Sequence, residues 1–563
     1  MTINLNGVEV RVEEGSTILE VCKFYGVAIP TLCWNEGLSS YGACRLCIVE
    51  IEGDKGFPTS CTTTVADGMV IHTESPPVQE LRRRIFELIL SEHPYTCLVC
   101  EKKDKCEEYQ VTTRKTGVTT GCEFCPKNGQ CELQKVAEHI GLEKVDFPIN
   151  YRSLSVEKDD PFYDRDYNLC ILCGRCVRMC QDVRGNGTLA FTYRGSKTLI
   201  GTAFGESHLI AGCAFCGACV DVCPTGALSE KANKWEGEAE RSVNTICPYC
   251  GIGCSLKIEV KGDRIIKTLP SPDGINKGQA CVRGRFCIAQ IVHSTNRLKT
   301  PMVRKVGKLV EVSWDEALNT VVDNLSKYKG KQFAFISSPQ CTNEDIYIFQ
   351  KFIREVMNSS NITVAGQVAK IEEAPMVESN LMGAYNMIGT LGYSEMLEVI
   401  NKKETRALYL TDGQTLGSAP THNLYAGLEF VVVQSVFPIP EMAFANVVLP
   451  AASFAEVDGS FTNVQGETQQ LHKVIEPLYN SCPDWWIVCE IAKRLGGQGF
   501  EFKSPQEISS KFKTQNSKLK IQNSKVTPLE IKPSDGFYSY RGCSLIDEIK
   551  GLKEVVAQWS KNV

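Results

Sequence analysis

Twenty-two of the 28 cysteines in this chain lie between Cys33 and Cys281, most of them in tight C-x2-C groups. Thiols spaced this way can pair as disulfides, hold zinc or hold iron–sulfur clusters. Adjacent C-x2-C pairs rarely build a disulfide framework, and the opening MTINLNGVEV has neither the basic nor the apolar region of a secretory leader. Zinc favours isolated four-ligand sets. The runs CILCGRCVRMC and CAFCGACVDVCP are not isolated. Each is C-x2-C-x2-C-x3-C, the two-cluster ferredoxin run in which the fourth cysteine of each serves the other cluster. Cys170, Cys173, Cys176 and Cys223 are therefore expected to hold one [4Fe–4S] cubane, and Cys213, Cys216, Cys219 and Cys180 the other. Pro224 follows Cys223 as the pattern has it, whereas Gln181 follows Cys180.

Four further sets flank these runs. Cys33, Cys44, Cys47 and Cys61 combine a close middle pair with distant outer partners, which suits a [2Fe–2S] cluster wrapped by a loop. His93, Cys97, Cys100 and Cys106 spell H-x3-C-x2-C-x5-C. One imidazole and three thiolates can hold a cubane, and the neutral ligand should raise its potential. Cys122, Cys125 and Cys131 repeat the x2, x5 spacing without an obvious fourth ligand, with His139 as a candidate or as a plain surface residue. Cys247, Cys250, Cys254 and Cys281, opening with CPYCGIGC, suit a fifth cluster.

The elements that must carry these ligands are legible in outline. Residues 1–77 read as a small β-rich domain. Asn6-Gly7 makes a hairpin turn beside the alternating Val8, Val10 and Val12, Thr17 and Glu20 form a capping box, and Cys22 falls on the core side of the helix that follows. Residues 78–140 start with the helix ELRRRIFELILSE and hold the histidine set and the extra triplet; residues 141–235 hold the double ferredoxin run. Residues 243–298 hold the CPYCGIGC set, with the alternating SLKIEVKGDRII read as a strand between its third and fourth ligands. Residues 299–500 read as α/β: KQFAFISS, TRALYL, LEFVVVQ and ANVVLP are short apolar runs of parallel-sheet type, and EDIYIFQKFIREVM is a helix. Residues 503–535 repeat QNSK and read as a low-complexity linker; in 536–563 a last helix places Leu545, Ile549, Leu552, Val556 and Trp559 on one face. Net charge is −5, from 61 basic and 66 acidic residues, with no basic stripe and interleaved aromatics, which argues against nucleic-acid binding. The most apolar stretch, 428–452, carries Glu, Gln, Asn and three prolines and is a poor membrane span, so a cytoplasmic protein is expected, peripheral on a membrane only through partners.

This order of modules resembles the large iron–sulfur (G-type) subunit of complex I, and equally the N-terminal half of NAD-coupled formate dehydrogenase α subunits. Electron-bifurcating iron hydrogenases share the first four clusters. The resemblance rests on the x10/x2/x13 set, H-x3-C-x2-C-x5-C, the double ferredoxin run and CPYCGIGC, and it covers nearly the whole chain; the Cys122–Cys131 triplet is extra to the family pattern. It implies an α+β multidomain chain. A β-grasp [2Fe–2S] ferredoxin, a cluster domain with one histidine and three cysteine ligands, and a two-cluster bacterial ferredoxin domain precede a truncated α/β domain of molybdopterin-oxidoreductase type. CTNEDIYIFQKF, ANVVLPAASFAEVDGSFTN and the final YRG look like segments of that last family.

The family's metal-binding cysteine or selenocysteine should follow the CTNE helix beside a histidine, but NITVAGQVAKIEEAPM holds neither, and Cys341 precedes the helix. Arg283 stands where the catalytic formate dehydrogenases carry lysine. One half of the doubly wound domain and the C-terminal barrel have no counterpart. No G-x-G-x-x-G follows a strand and no P-loop lysine occurs. The expectation is an electron-transfer subunit of an NAD(P)H-linked oxidoreductase complex, without its own catalytic residues or molybdenum or tungsten pterin site. It would carry one [2Fe–2S] and four [4Fe–4S] clusters, with a fifth cubane if the extra triplet is filled. Implied partners are an NADH/FMN-binding flavoprotein with its small [2Fe–2S] subunit, and a second subunit of hydrogenase, formate dehydrogenase, ferredoxin or quinone type. The alternative is a catalytic formate dehydrogenase-type α subunit.

Overall fold

The computed structural model describes residues 1–101, 119, 121–365, 379–388, 393–402, 404–411, 425, 427–516 and 549–559. They fall into two compact units, Met1–Glu238 with the chain's end from Ala557, and Ala239–Val556.

The first unit begins with a four-stranded sheet in the order β2-β1-β4-β3, where β1 is Thr2–Leu5, β2 Val8–Arg11, β3 Glu50–Ile51 and β4 Val70–His72. β1 and β2 are joined at Asn6 (φ 54°) and Gly7 (φ 87°), the paired positive φ angles that Asn-Gly tolerates best. The helix Ile18–Phe24 is capped reciprocally by Thr17 and Glu20 and buries Ile18, Val21 and Cys22 against the sheet. The next helix, Pro76–Leu90, shares a core with Glu132–Ile140 through Phe86, Leu90, Leu133 and Val136. Further on, β5 (Tyr163–Arg165) and β8 (Leu228–Glu230) pair antiparallel and bracket a hairpin of β6 (Ala190–Thr192) and β7 (Leu199–Gly201). Two short helices, Arg175–Arg178 and Ala218–Asp221, follow the two C-x2-C-G loops.

The second unit opens with an antiparallel sheet of β9 (Arg241–Ile246), β10 (Ser255–Lys261) and β11 (Arg264–Pro270). SLKIEVKGDRII, expected as one strand, is two. Gly262, at φ +57°, turns the chain, so Leu256, Ile258 and Val260 bury one face while β11 returns beside them. A seven-stranded sheet follows in the order β13-β12-β18-β17-β16-β14-β15. Here β12 is Met302–Lys305, β13 Lys308–Glu311, β14 Phe333–Ser337, β15 Ile362–Val364, β16 Ala407–Thr411, β17 Phe430–Ser435 and β18 Val447–Pro450. β14 to β18 run parallel and are buried on both faces, which is why they read as unbroken apolar runs. One face packs on Trp314–Leu325, Asn343–Lys351 and Asp484–Arg494 through Leu318, Phe349 and Ile487; the other buries Leu298, Met396 and Ile400. A last hairpin, β19 (Gly459–Thr462) and β20 (Thr468–Leu471), lies on β9 and on the loop between β9 and β10.

The linker expected at 503–535 is a helix over Pro505–Asn516. Ile508 and Phe512, four residues apart, are buried in the core, and Phe512 meets Tyr347 with ring centroids 5.8 Å apart. Two apolar anchors on one face order a segment whose average polarity suggested none. The terminal helix is Lys550–Trp559, with Ile549, Leu552 and Val555 buried; Leu545 lies outside the described residues, as do residues 366–378 of the expected catalytic stretch and the final YRG. Among the described residues no helix is long and apolar enough to cross a membrane.

Candidate metal centres

Cys33, Cys44, Cys47 and Cys61 converge in the loop between the first helix and β4. The Cys44 amide donates to Cys33 Sγ at 3.4 Å, and the thiols pair as Cys33 with Cys44 and Cys47 with Cys61. In each pair one sulfur is stabilised as thiolate by its neighbour's proton: Cys33 falls to about 5 and Cys47 to about 6, while Cys44 and Cys61 are pushed up. A cluster takes up thiolates and displaces such shared protons. The four sulfurs stand as two adjacent pairs that sense one another's charge.

The ferredoxin run folds as two matching loops. Leu172 (φ 53°) precedes Cys173-Gly174 (φ 71°), and Phe215 (φ 48°) precedes Cys216-Gly217 (φ 74°). Bulky residues in the left-handed region are costly and mark sites where the backbone is held for a purpose. Here the strained turn aims amides at sulfur: Leu172 N–H donates to Cys170 Sγ at 3.4 Å and Phe215 N–H to Cys213 Sγ at 3.3 Å. Cys170, Cys173, Cys176 and Cys223 line one pocket. Burial pushes Cys170 and Cys173 up to about 12. Cys213, Cys216, Cys219 and Cys180 sense one another's charge in a second group, which Cys176 adjoins. The fourth cysteine of each run thus lies with the other run's first three.

In the second unit, the loop from Cys247 to Cys254 joins β9 to β10. Cys247 N–H donates to the Cys254 carbonyl at 2.9 Å, and burial raises the Cys247 thiol, with smaller contributions from Cys250 and Cys281. Arg283 donates to the Tyr249 carbonyl at 3.1 Å and helps hold this loop. Behind it lies a partly open pocket bordered by Tyr249, Ser338, Cys341, Gln434 and Asp484.

Of the expected histidine set, His93, Cys97 and Cys100 are among the described residues. His93 lines a pocket with Cys122, Cys125 and Cys131; Cys106 lies outside the described residues. Cys97 stands beside Cys122, its thiol paired with the Cys122 sulfur. His139, the candidate for the triplet, faces Glu74 at 3.7 Å and is part-exposed on its helix.

Sequence reading also missed the cations that hold these loops. Arg82, on Pro76–Leu90, is 1% exposed and donates to the carbonyls of Leu46, Ile48 and Thr73, clamping both sides of Cys47. Arg178 donates to the carbonyls of Cys33 and Ser39. Arg175 makes a two-point bond to Glu132, next to Cys131, and reaches the Val222 carbonyl next to Cys223. Their only trace in the sequence is arginine within a cysteine run or an apolar helix face.

Fold and donor sets together define a modular iron–sulfur protein, with ferredoxin-type domains followed by a molybdopterin oxidoreductase-like domain. Family models agree segment by segment. They match a 2Fe-2S iron-sulfur cluster binding domain (residues 1–76), an NADH-ubiquinone oxidoreductase-G iron-sulfur binding region (82–121) and an NADH-quinone oxidoreductase subunit 3 ferredoxin-like domain (160–229). A molybdopterin oxidoreductase Fe4S4 domain (240–293) and the molybdopterin oxidoreductase domain (297–388 and 376–494) follow. The chain resembles the second G-type subunit of NADH-quinone oxidoreductase from Rhizobium meliloti, at 34% identity over 64% of this chain and 39% of that one. It resembles the NADPH-Fe(3+) oxidoreductase alpha chain of Geobacter sulfurreducens at 30% over 71% and 44%, and a formate dehydrogenase-like protein of Staphylococcus aureus at 30% over 73% and 43%. It spans about two fifths of the length of these relatives.

Proposed function

We propose that this chain is an iron–sulfur electron-transfer subunit of an NAD(P)H-linked oxidoreductase complex. It takes electrons from a flavoprotein partner that binds the nucleotide, with its small [2Fe–2S] subunit, and delivers them to a second subunit. The observation that carries the reading is the continuity of donor sites in the first unit. Arg178 grips the Cys33 carbonyl from the helical segment that bears Cys176 and Cys180, and Leu169 lines the His93 cavity one residue before Cys170 lines the next. Bound clusters would supply one-electron carriers at these positions. The chain's own residues set the carriers' environment: amides of Cys44, Leu172 and Phe215 donate to ligand sulfurs, buried arginines place positive charge beside them, and apolar packing excludes water. In this reading Cys33, Cys44, Cys47 and Cys61 hold the [2Fe–2S] cluster, and the two ferredoxin groups and the Cys247 set hold cubanes.

A second reading, a chain with its own molybdenum or tungsten pterin acting on formate, draws on the partly open pocket behind the Cys247 loop. Metal analysis after anaerobic purification separates the two. The electron-transfer reading expects about 18 irons per chain without molybdenum or tungsten. It also expects clusters that dithionite reduces directly but NAD(P)H reduces only when the flavoprotein is present. Stoichiometric molybdenum or tungsten with formate oxidation, or reduction by NADH of the chain alone, overturns it.

A further inference from the structure

A buried polar chain ends on Cys213. Tyr163, on β5, and His208 are both fully buried. The Tyr163 hydroxyl lies 2.5 Å from His208 Nδ1 and 3.7 Å from Cys213 Sγ. On the far side, Asp160 Oδ2 stands 3.5 Å from the same Nδ1 and 2.8 Å from Arg165 Nε. The His208 carbonyl accepts the Cys213 N–H at 2.9 Å, so backbone as well as side chain ties this group to the ferredoxin loop. Packing alone asks only for a phenyl ring at 163, where the neighbour is Phe215 with centroids 5.9 Å apart.

The direction of the bonds follows from the count of donors. Burial holds His208 neutral, with one ring proton. Its Nε2 is buried without a hydrogen-bond partner, whereas Nδ1 faces a hydroxyl and a carboxylate. A buried N–H with no acceptor is costly, so the proton sits on Nδ1. The Tyr163 oxygen accepts from Nδ1, and its own proton is left for Cys213 Sγ. A metal-bound sulfur carries no proton and can only accept. Cys213 also takes the Phe215 amide, as Cys170 takes the Leu172 amide, but among the described residues no hydroxyl reaches Cys170.

We propose that Tyr163 sets the potential of the cubane held by Cys213, Cys216, Cys219 and Cys180, by donating a hydrogen bond to Cys213 Sγ, and that His208 is the positioning residue that aims the hydroxyl. The inference rests on the electron-transfer reading, which supplies the cubane. Reduction adds negative charge that the ligand sulfurs share, so a donor at one of them favours the reduced form and raises the potential. The two ferredoxin loops match in their amides; the phenol is what distinguishes the second.

The test is an anaerobic potentiometric titration of the full-length chain followed by EPR, with Cys213→Ser used to identify the signal of the cubane concerned. Tyr163→Phe should weaken reduction of that cubane by up to about tenfold, which is about 59 mV for a one-electron couple, and leave the other midpoints in place. His208→Phe should lower the same midpoint by less. In protein prepared in D2O, Tyr163→Phe should also remove one deuteron coupling from the pulsed EPR of the reduced chain. Where Tyr163→Phe fails to assemble the cluster, 3-fluorotyrosine placed at position 163 by stop-codon suppression decides: a more acidic phenol donates more strongly and should raise the midpoint. A midpoint that stays in place or rises in Tyr163→Phe, or that does not rise with the fluorinated residue, overturns the proposal. An unmoved midpoint in His208→Phe overturns the positioning role. A parent chain without iron refutes the electron-transfer reading itself, and that outcome is seen before any variant is made.

Discussion

Arg178 tests whether the arginine clamps set potentials as well as geometry. It is 8% exposed, its two terminal nitrogens donate to the Cys33 carbonyl at 2.5 Å and the Ser39 carbonyl at 2.6 Å, and its guanidinium lies 5.0 Å from the Tyr41 ring centroid. Its charge already contributes to lowering the Cys33 thiol. A reduced [2Fe–2S] centre carries one more negative charge than the oxidised one. A nearby cation therefore favours reduction, and its removal lowers the potential. Two unit charges 4 Å apart interact by about 4 kcal/mol at an effective dielectric of 20, so at roughly twice that separation the figure is about 2 kcal/mol. For a one-electron couple this corresponds to about 80 mV. Arg178→Met should lower the [2Fe–2S] midpoint by several tens of millivolts towards that ceiling, while Arg178→Lys should lower it much less. The assay is an anaerobic potentiometric titration followed by EPR. A midpoint that stays in place or rises in Arg178→Met, with an unaltered signal shape, would refute the electrostatic argument.

Other outcomes follow from the same packing. Arg82→Met strands three buried carbonyls around Cys47 and should destabilise the first unit by roughly 3–5 kcal/mol, with early loss of the [2Fe–2S] absorbance in denaturant. In the second unit Arg297 and Glu456 form a fully buried two-point pair at 2.7 Å, so Arg297→Met should cost about 3–5 kcal/mol by leaving the carboxylate unpaired, which thermal unfolding would show. His208 is fully buried with its Nδ1 2.5 Å from the Tyr163 hydroxyl, and burial drives it down to about 3. The unfolded imidazole binds a proton near about 6.5 and the folded one does not, so stability present above that value is lost as pH falls towards 3, by about 1.4 kcal/mol per unit. Denaturation at about pH 7.5 and about pH 5.5 should show a shallower loss in His208→Gln than in the parent. Asp160, 3.5 Å from the ring and raised to about 6 by burial, acts in the opposite sense and is present in both proteins.

Much of the molecule was legible in its residues because the determining interactions are local. Asn6-Gly7 can take two positive φ angles, Thr17 and Glu20 cap the helix between them, and strands buried on both faces are largely apolar, as Phe333–Ile336 and Val431–Val433 are. The grouping of the two C-x2-C-x2-C-x3-C runs was legible for a related reason: fixed cysteine spacing shapes each short loop, and the repeat pairs Cys223 with the first run and Cys180 with the second, as the structure groups them. Two segments misled because a local average hid a sparse signal. Ile508 and Phe512 anchor a helix inside a polar stretch, and Gly262 splits an alternating run into a hairpin.

The sequence by itself determined that this protein carries thiol and imidazole donors in cluster-forming sets, and in what order. Spacing acts through the chain, and the chain is short within each set. Only the tertiary structure decided which donors share a space when separate segments meet. His93 faces Cys122, Cys125 and Cys131 because the helices Pro76–Leu90 and Glu132–Ile140 pack on one core. The fold likewise decided which cations stand beside the sulfurs, since Arg82, Arg175 and Arg178 act on carbonyls far away in sequence. Proximity of that kind is a property of packed surfaces, and no pattern along the chain encodes it.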